Sequence, residues 1–219
     1  MPDAMNPWTR HRHKAARRSA GRGLAALCCV AAGLTACGGG GSNPFDNPAS
    51  VNNPSIAAGQ KLAFAYFQKC INPIFLAQLP ITVNGVTTIN TCAASGCHDN
   101  AAGTGGAFRV IPSATAVDLA NAANTPDVIR LTDMYKNFYS AQASTIIGSP
   151  TQSRLITKPL VLNVLHGGGL VFDNAQDPNV KRMEFWLSRP APQGQDEFSA
   201  ATYSMFTPAD PVTGTCNTQ

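Results

Sequence analysis

Two cysteines and a histidine lie within seven residues near the middle of the chain. In the segment from Thr91 to Asn100, TCAASGCHDN, Cys92 is separated by four residues from Cys97, which His98 follows directly. In the C-x-x-C-H motif, the two thiols bond to the vinyl groups of a haem and the histidine binds its iron. The spacer here is two residues longer, but all four of its residues are small. This stretched motif predicts a covalent haem site with Cys92 and Cys97 as thioethers and His98 as the proximal iron ligand.

The first 36 residues have the organisation of a secretory signal peptide. Six basic residues are followed by an apolar run of 13 residues, Leu24 to Ala36, and then by Cys37. A run of this length does not cross a bilayer, which takes roughly 20 residues. Leu34-Thr35-Ala36-Cys37 resembles the cleavage site of bacterial lipoproteins, which implies that Cys37 is lipidated; an ordinary cleaved signal is the alternative. Gly38 beside that cysteine implies, by the same resemblance, sorting to the outer membrane, facing the periplasm or the cell surface.

Removing the leader changes the net charge. The chain has 16 basic and 12 acidic residues and a formal net charge of +4, but six basic residues and one acidic residue precede Cys37. The mature chain would carry ten basic and eleven acidic side chains, for a net charge of −1. This balance gives no reason to expect nucleic-acid binding.

The cysteine count favours one disulfide beside the haem. Four cysteines remain after Cys37, and if haem takes Cys92 and Cys97, then Cys70 and Cys216 are left to pair in an oxidising, exported compartment. Two disulfides without haem are the competing arrangement, since four cysteines permit three pairings.

The second iron ligand is predicted from the few histidines that remain. Only His98 and His166 follow Cys37, and His166 precedes three glycines, whose missing side chains let the backbone pass close to a flat cofactor. We therefore predict His166 as the distal ligand. An open sixth position is another possibility. Methionines are the rival ligands, the strongest being the one in a predicted loop: Met205, ahead of Met134 and Met183.

Other chemistry fits these residues less well. A zinc site from Cys92, Cys97, His98 and His166 would lack the repeated, fixed spacing of structural zinc ligands, and free thiolates are disfavoured in exported proteins. The Gly-rich stretch Asp99 to Ala107 lacks the phosphate-loop pattern, so nucleotide binding is rejected. No carboxylate pair or spare histidine suggests a catalytic site.

The remaining pattern predicts a tethered helical domain. A Gly-, Asn-, Pro- and Ser-rich stretch from 37 to 55 predicts a flexible tether, 56 to 192 a folded domain, and 193 to 219 an irregular tail. Asn84-Gly85 between β-branched runs predicts a hairpin from Ile81 to Thr88. Apolar spacing predicts helices in four places: from about Ile56 to Asn72, Thr115 to Ala123, Asp127 to Ala143, and Asp177 to Leu187.

A family resemblance supports this interpretation. Ser153 to Leu160, SRLITKPL, followed by HGGG at His166 to Gly169 and by a helix with Trp186, resembles cytochrome c-like domains of bacterial surface proteins. With the Cys92 to His98 motif, the resemblance spans about half the chain. It implies a class I cytochrome c fold, mainly α-helical around one haem c, with the hairpin as a small insertion.

That resemblance also implies a function. The protein is expected to be a membrane-anchored c-type cytochrome that transfers electrons to or from an unidentified redox partner protein, and to be a carrier rather than an enzyme. Two histidine ligands would give a lower reduction potential than a His/Met pair. The alternative is a haem-free lipoprotein with a binding or structural role, in which Cys92 and Cys97 form a disulfide.

Overall fold

The computed structural model describes residues 59–219. The predicted signal peptide, the lipidation site Cys37 and the predicted tether therefore lie outside the described residues. Among the residues that are described, none of the helices has both the length and the apolar character needed to cross a membrane.

The most deeply buried segment is an interrupted helix near the start of the described chain. It is α-helical at Phe64–Tyr66 (α1), π-helical at Phe67–Ile71, and α-helical again at Asn72–Leu76 (α2). Pro73, which has no N–H to donate to the preceding turn, accounts for the wider π-helical turn before it. Each residue from 62 to 67 is at most 1% exposed, so this segment is packed on all sides.

The helix with Trp186 packs against this segment. It spans Pro178–Ser188 and is numbered α6 below; Asp177 caps it by accepting from the backbone N of Asn179. The proline in its first turn needs no hydrogen-bond partner there. Trp186 is buried, and its indole Nε1 donates to the carbonyl of Ala63 at 3.0 Å. The predicted helix from 177 to 187 is confirmed.

A β-hairpin follows the first helical segment. Strands β1 (Leu79–Val83) and β2 (Val86–Asn90) pair antiparallel, with Val83 opposite Val86. The two turn residues, Asn84 and Gly85, have φ angles of 51° and 78°, as the tight hairpin turn requires. The predicted hairpin is confirmed, although its strands extend beyond the predicted ends.

Two short helices replace the long helix predicted from 127 to 143. Helix α3 spans Pro126–Arg130 and α4 spans Asp133–Gln142. Thr132 separates them because its hydroxyl accepts from the backbone N of Tyr135 and donates to the carbonyl of Ile129. A threonine that caps the next helix ends the preceding one.

The helix predicted from 115 to 123 is absent. Asp118 accepts from the backbone N of Ala120, and Asn121 accepts from that of Ala123. These local bonds stabilise turns in place of helical hydrogen bonds. Beyond α4, a 3₁₀ turn at Pro150–Gln152 leads into the short helix α5, Arg154–Thr157.

The C-terminal segment is part of the core. A 3₁₀ helix, Ala200–Met205, is followed by two-residue strands, β3 (Phe206–Thr207) and β4 (Thr215–Cys216), which pair antiparallel. Met205 and Phe206 are buried in the main hydrophobic cluster. The segment predicted to be an irregular tail is thus folded onto the domain.

A disulfide holds this segment in place. Cys70 and Cys216 are bonded, with 6.0 Å between their Cα atoms and 146 residues between them in sequence. The pairing predicted from the cysteine count is confirmed. The Tyr66 hydroxyl adds a second connection by donating to the carbonyl of Asn217.

The predicted fold class, a mainly α cytochrome c-like helical domain, is wrong. The described residues are 32% helix and 11% strand, and both sheets have two strands. The helices are short because prolines, threonine caps and Asx turns interrupt them. Much of the chain around the predicted haem motif is therefore held by turns rather than by helices.

The disulfide is expected to stabilise the fold substantially. Replacing both cysteines, Cys70→Ser with Cys216→Ser, should lower the free energy of unfolding by about 3–5 kcal/mol, because the long loop is no longer closed in the unfolded chain. Denaturant titration of both proteins measures this difference. Wild type in reductant should match the variant, and an unchanged free energy of unfolding would show that packing alone holds the C-terminal segment.

Candidate functional site

His98 and His166, 68 residues apart in sequence, face one cavity. Their ring centroids are 6.2 Å apart, and the ring planes are nearly parallel, with 12° between them. The cavity has a volume of about 620 Å³, and Cys92 and Cys97 also line it. The structure therefore brings together all four side chains that were predicted to form the site.

Each imidazole is oriented by a hydrogen bond to a backbone carbonyl. Nδ1 of His98 lies 3.0 Å from the carbonyl oxygen of Phe108, and Nδ1 of His166 lies 2.6 Å from that of Gly169. A carbonyl can only accept, so each Nδ1 carries the hydrogen and each Nε2 keeps its lone pair. This is the arrangement in which histidine binds metals.

The turn that contains both thiols positions His98. Its backbone N donates to the carbonyl of Cys92 at 2.9 Å, and its own carbonyl accepts from Val110 at 2.7 Å. The ring packs against Phe108, with centroids 4.8 Å apart. Gly105 lies on another side of the ring, so closely that a Cβ there would be 2.6 Å from Nδ1.

The hairpin positions His166. Thr82 of β1 exchanges two backbone hydrogen bonds of 2.9 Å with Leu170. Gly169 must be glycine here because its φ is +85° and a Cβ would lie 2.3 Å from the carbonyl oxygen of Thr82. The hairpin was predicted, but nothing in the sequence indicated that it would pair with the segment that carries His166.

Both thiols in the cavity are free and half-buried. Burial, and then the neighbouring Cys97 sulfur, raise the pKa of Cys92 to about 11. Cys92 is therefore a protonated thiol at neutral pH and is protected from rapid thiolate chemistry. The Cys92–Cys97 disulfide of the haem-free alternative is not formed in the structure.

Two cations line the cavity, and a third lies near one of its histidines. Arg154 and Lys158 line it, and Arg109 lies near His98. The four ion pairs of residues 59–219 all involve other side chains, so these three cations have no carboxylate partner there. One guanidinium nitrogen of Arg109, Nη1, is also buried without a hydrogen-bond partner. The site is thus electrostatically suited to an anionic group.

The two histidines are neutral at physiological pH. Burial lowers the pKa of both, and the positive charge of Lys158 lowers both further. The carbonyl bonds act in the opposite direction but do not prevail. Both Nε2 atoms are consequently available as ligands at neutral pH.

The rest of the cavity wall is mostly apolar, and sequence reasoning missed most of it. Among the rival methionines, Met183 lines the cavity, whereas Met205 is buried elsewhere in the core and Met134 is not among the lining residues. Arg154 and Lys158 belong to the SRLITKPL segment, but no role was predicted for them. The larger apolar side chains of the wall are Ile74, Phe75, Ile81, Phe108, Leu155, Val171, Phe172 and Met183.

The predicted zinc alternative is not assembled. Within the described chain, no three His, Cys, Asp or Glu side chains are grouped closely enough to hold a metal ion. A haem needs only two protein ligands, on opposite faces of its ring, so this finding bears on zinc alone.

No related protein is available to extend this description of the cavity. Comparisons with protein-family models, curated proteins and solved structures found no match to the chain. The resemblance to cytochrome c-like domains stays a prediction. The function is therefore inferred from the geometry of the cavity.

The lowered histidine pKa values predict acid sensitivity. Because the unfolded chain has ordinary imidazoles, it takes up protons first as the pH falls below about 6.5, so the free energy of unfolding should decrease there. NMR titration of the haem-free protein should show both imidazoles titrating below that value. Lys158→Gln should raise both pKa values, and ordinary titration of both rings in the wild type would contradict the burial.

Gly105 is predicted to be essential for the position of His98. Gly105→Ala would place a methyl group 2.6 Å from Nδ1 of His98 and 2.7 Å from the carbonyl oxygen of Cys97. We expect a loss of about 1–3 kcal/mol in the free energy of unfolding and a shifted His98 imidazole signal by NMR. Gly96→Ala is the matched control, because a Cβ there meets nothing within 4 Å. Equal effects of the two substitutions would contradict the close packing.

Proposed function

We propose that this protein is an electron carrier that holds one haem c between His98 and His166, attached through Cys92 and Cys97. The main support for this proposal is the distance between the ring centroids of the two nearly parallel imidazoles. Two metal–nitrogen bonds of about 2.0–2.1 Å, with roughly 1.2 Å from each nitrogen to its ring centre, give about 6.4 Å between centroids across a metal. The observed distance is 6.2 Å.

The other side chains of the cavity fit the same group. The apolar wall suits a porphyrin, and the two thiols at its edge suit the vinyl groups. Arg109, Arg154 and Lys158, which have no carboxylate partners in the described residues, suit the two carboxylates that a haem carries. The volume of about 620 Å³ lies within the usual range of cofactor sites.

The residues determine what kind of redox site this would be. When bound, the haem would supply reversible one-electron chemistry. His98 and His166 would bind its iron, and two nitrogen ligands favour a lower reduction potential than a His/Met pair. The carbonyls of Phe108 and Gly169 orient the two rings so that Nε2 of each is free to bind a metal. These features support a carrier rather than an enzyme.

The proposed location is the outer membrane, with a lipid anchor on Cys37. The Cys70–Cys216 disulfide supports export, because structural disulfides form in oxidising compartments. The partner would be another redox protein, and no interaction with nucleic acid is proposed. The haem-free lipoprotein is the competing assignment, and its signature would be a Cys92–Cys97 disulfide.

Mass spectrometry of mature protein co-expressed with haem-maturation proteins tests this function. We expect one haem on the peptide with Cys92 and Cys97, none in the Cys92→Ser, Cys97→Ser variant, and a low-spin spectrum without the methionine-to-iron band. His166→Met should produce that band and raise the potential, whereas Met205→Leu, the control, should change neither. A Cys92–Cys97 disulfide on an unmodified peptide would reject the proposal.

A further inference from the structure

More hydrogen bonds and packing contacts hold His98 in place than hold His166. His98 is fixed through its backbone N and its carbonyl, both bonded to other residues, and through the Phe108 ring and Gly105 beside its imidazole. Moving it would disrupt the turn that contains the thiols. It is an integral part of the surrounding structure.

His166, in contrast, lies on a loop that is fastened mainly at its base. We call residues 160–169 the His166 loop. At its base, the carbonyl of Pro159 accepts from Val171 at 2.8 Å, and Leu170 pairs with Thr82 of the hairpin. From 163 to 169, the hydrogen bonds of the described structure are confined to the turn between His166 and Gly169. Such a closed loop can move without breaking the elements that it connects.

The His166 loop also buries little apolar surface and contains a strained backbone. Leu160, at the base of the loop, is 6% exposed and belongs to the core, but Leu162 is 50% exposed and Leu165 is 88% exposed. Opening the loop beyond Leu160 would therefore uncover few apolar contacts. Val161 and Asn163 have φ angles of 51° and 54°, in the left-handed region that a β-branched valine rarely adopts. Low burial and local strain are the features of segments that open before the rest of a fold.

We propose that His166 is an exchangeable ligand, so that the haem site also binds a small neutral diatomic molecule. This inference rests on the proposed haem function. In this exchange the His166 loop would open, Nε2 of His166 would release the iron, and a lone pair of the diatomic ligand would replace it. No electron or proton is transferred in this exchange.

The cavity wall determines the class of ligand. Phe75, Leu155, Val171 and Phe172 line the space shared with His166. An apolar wall excludes hydrated ions more strongly than uncharged diatomics, because a charge entering it loses its water. The nearby cations are assigned to the carboxylates of the haem, which leaves a neutral ligand as the better occupant.

Carbon monoxide is the probe that tests this exchange. The haem-loaded protein is reduced with dithionite and titrated with carbon monoxide, and the wild type should give a saturable carbonyl spectrum. His166→Ala should bind about 10- to 100-fold more tightly, because binding no longer requires displacement of an internal ligand. Binding by His166→Ala with none by the wild type would overturn the inference and leave the haem proposal intact. Absence of haem from the Cys92–Cys97 peptide would instead reject the proposed function.

Hydrogen exchange gives a second measurement that does not depend on ligand binding. In both the haem-free and the haem-loaded protein, backbone amides from 163 to 168 should exchange faster than those from 97 to 110, which hold His98. Adding carbon monoxide to the loaded protein should accelerate exchange in the His166 loop alone. Equal protection of the two segments in the loaded protein would show that the loop is rigid and would overturn the inference.

Discussion

The hydrogen bonds from Nδ1 of His98 and His166 to backbone carbonyls are the constraint on which the site depends. Each bond fixes a ring orientation and leaves Nε2 as a lone pair. Because the acceptors are backbone atoms of Phe108 and Gly169, the position of each ring follows from the path of the chain. The two glycines that crowd these segments, Gly105 and Gly169, are therefore part of the site even though they offer no functional group.

The core also forms the apolar wall of the site. The first helical segment, α6 and the C-terminal strands pack around Tyr66, Phe67 and Trp186, and the disulfide holds the last strand to this centre. Most of the apolar wall of the cavity belongs to the same cluster, including Phe75, Phe172 and Met183. The shape of the cavity therefore depends on the packing of the core itself.

The sequence identified four side chains that the structure places in one cavity, although it predicted the wrong fold class. Cys92, Cys97, His98 and His166 were identifiable because few residue types bind iron or haem and few such residues follow Cys37. The hairpin and α6 were predictable from local signals, an Asn-Gly turn and an Asp-Pro start. The helix lengths were not, because competing side-chain bonds from Asp118, Asn121 and Thr132 end helices that apolar spacing favours. The course of the C-terminal segment depends on long-range packing, which has no local signal.

The cations that have no carboxylate partner in the described residues also influence the protonation of the two histidines. Lys158 lowers the pKa of both imidazoles, and Arg109 lowers that of His98, so the same charges that keep Nε2 unprotonated also attract an anionic group. A ligand bringing carboxylates would neutralise these cations, and a metal between the rings would keep the imidazoles unprotonated by occupying their lone pairs. Binding of carboxylates by the cations and binding of a metal by the imidazoles would therefore favour each other. A dianionic group with a central metal would supply both the negative charge for the cations and the metal for the imidazoles. A bare metal ion would instead add to the positive charge.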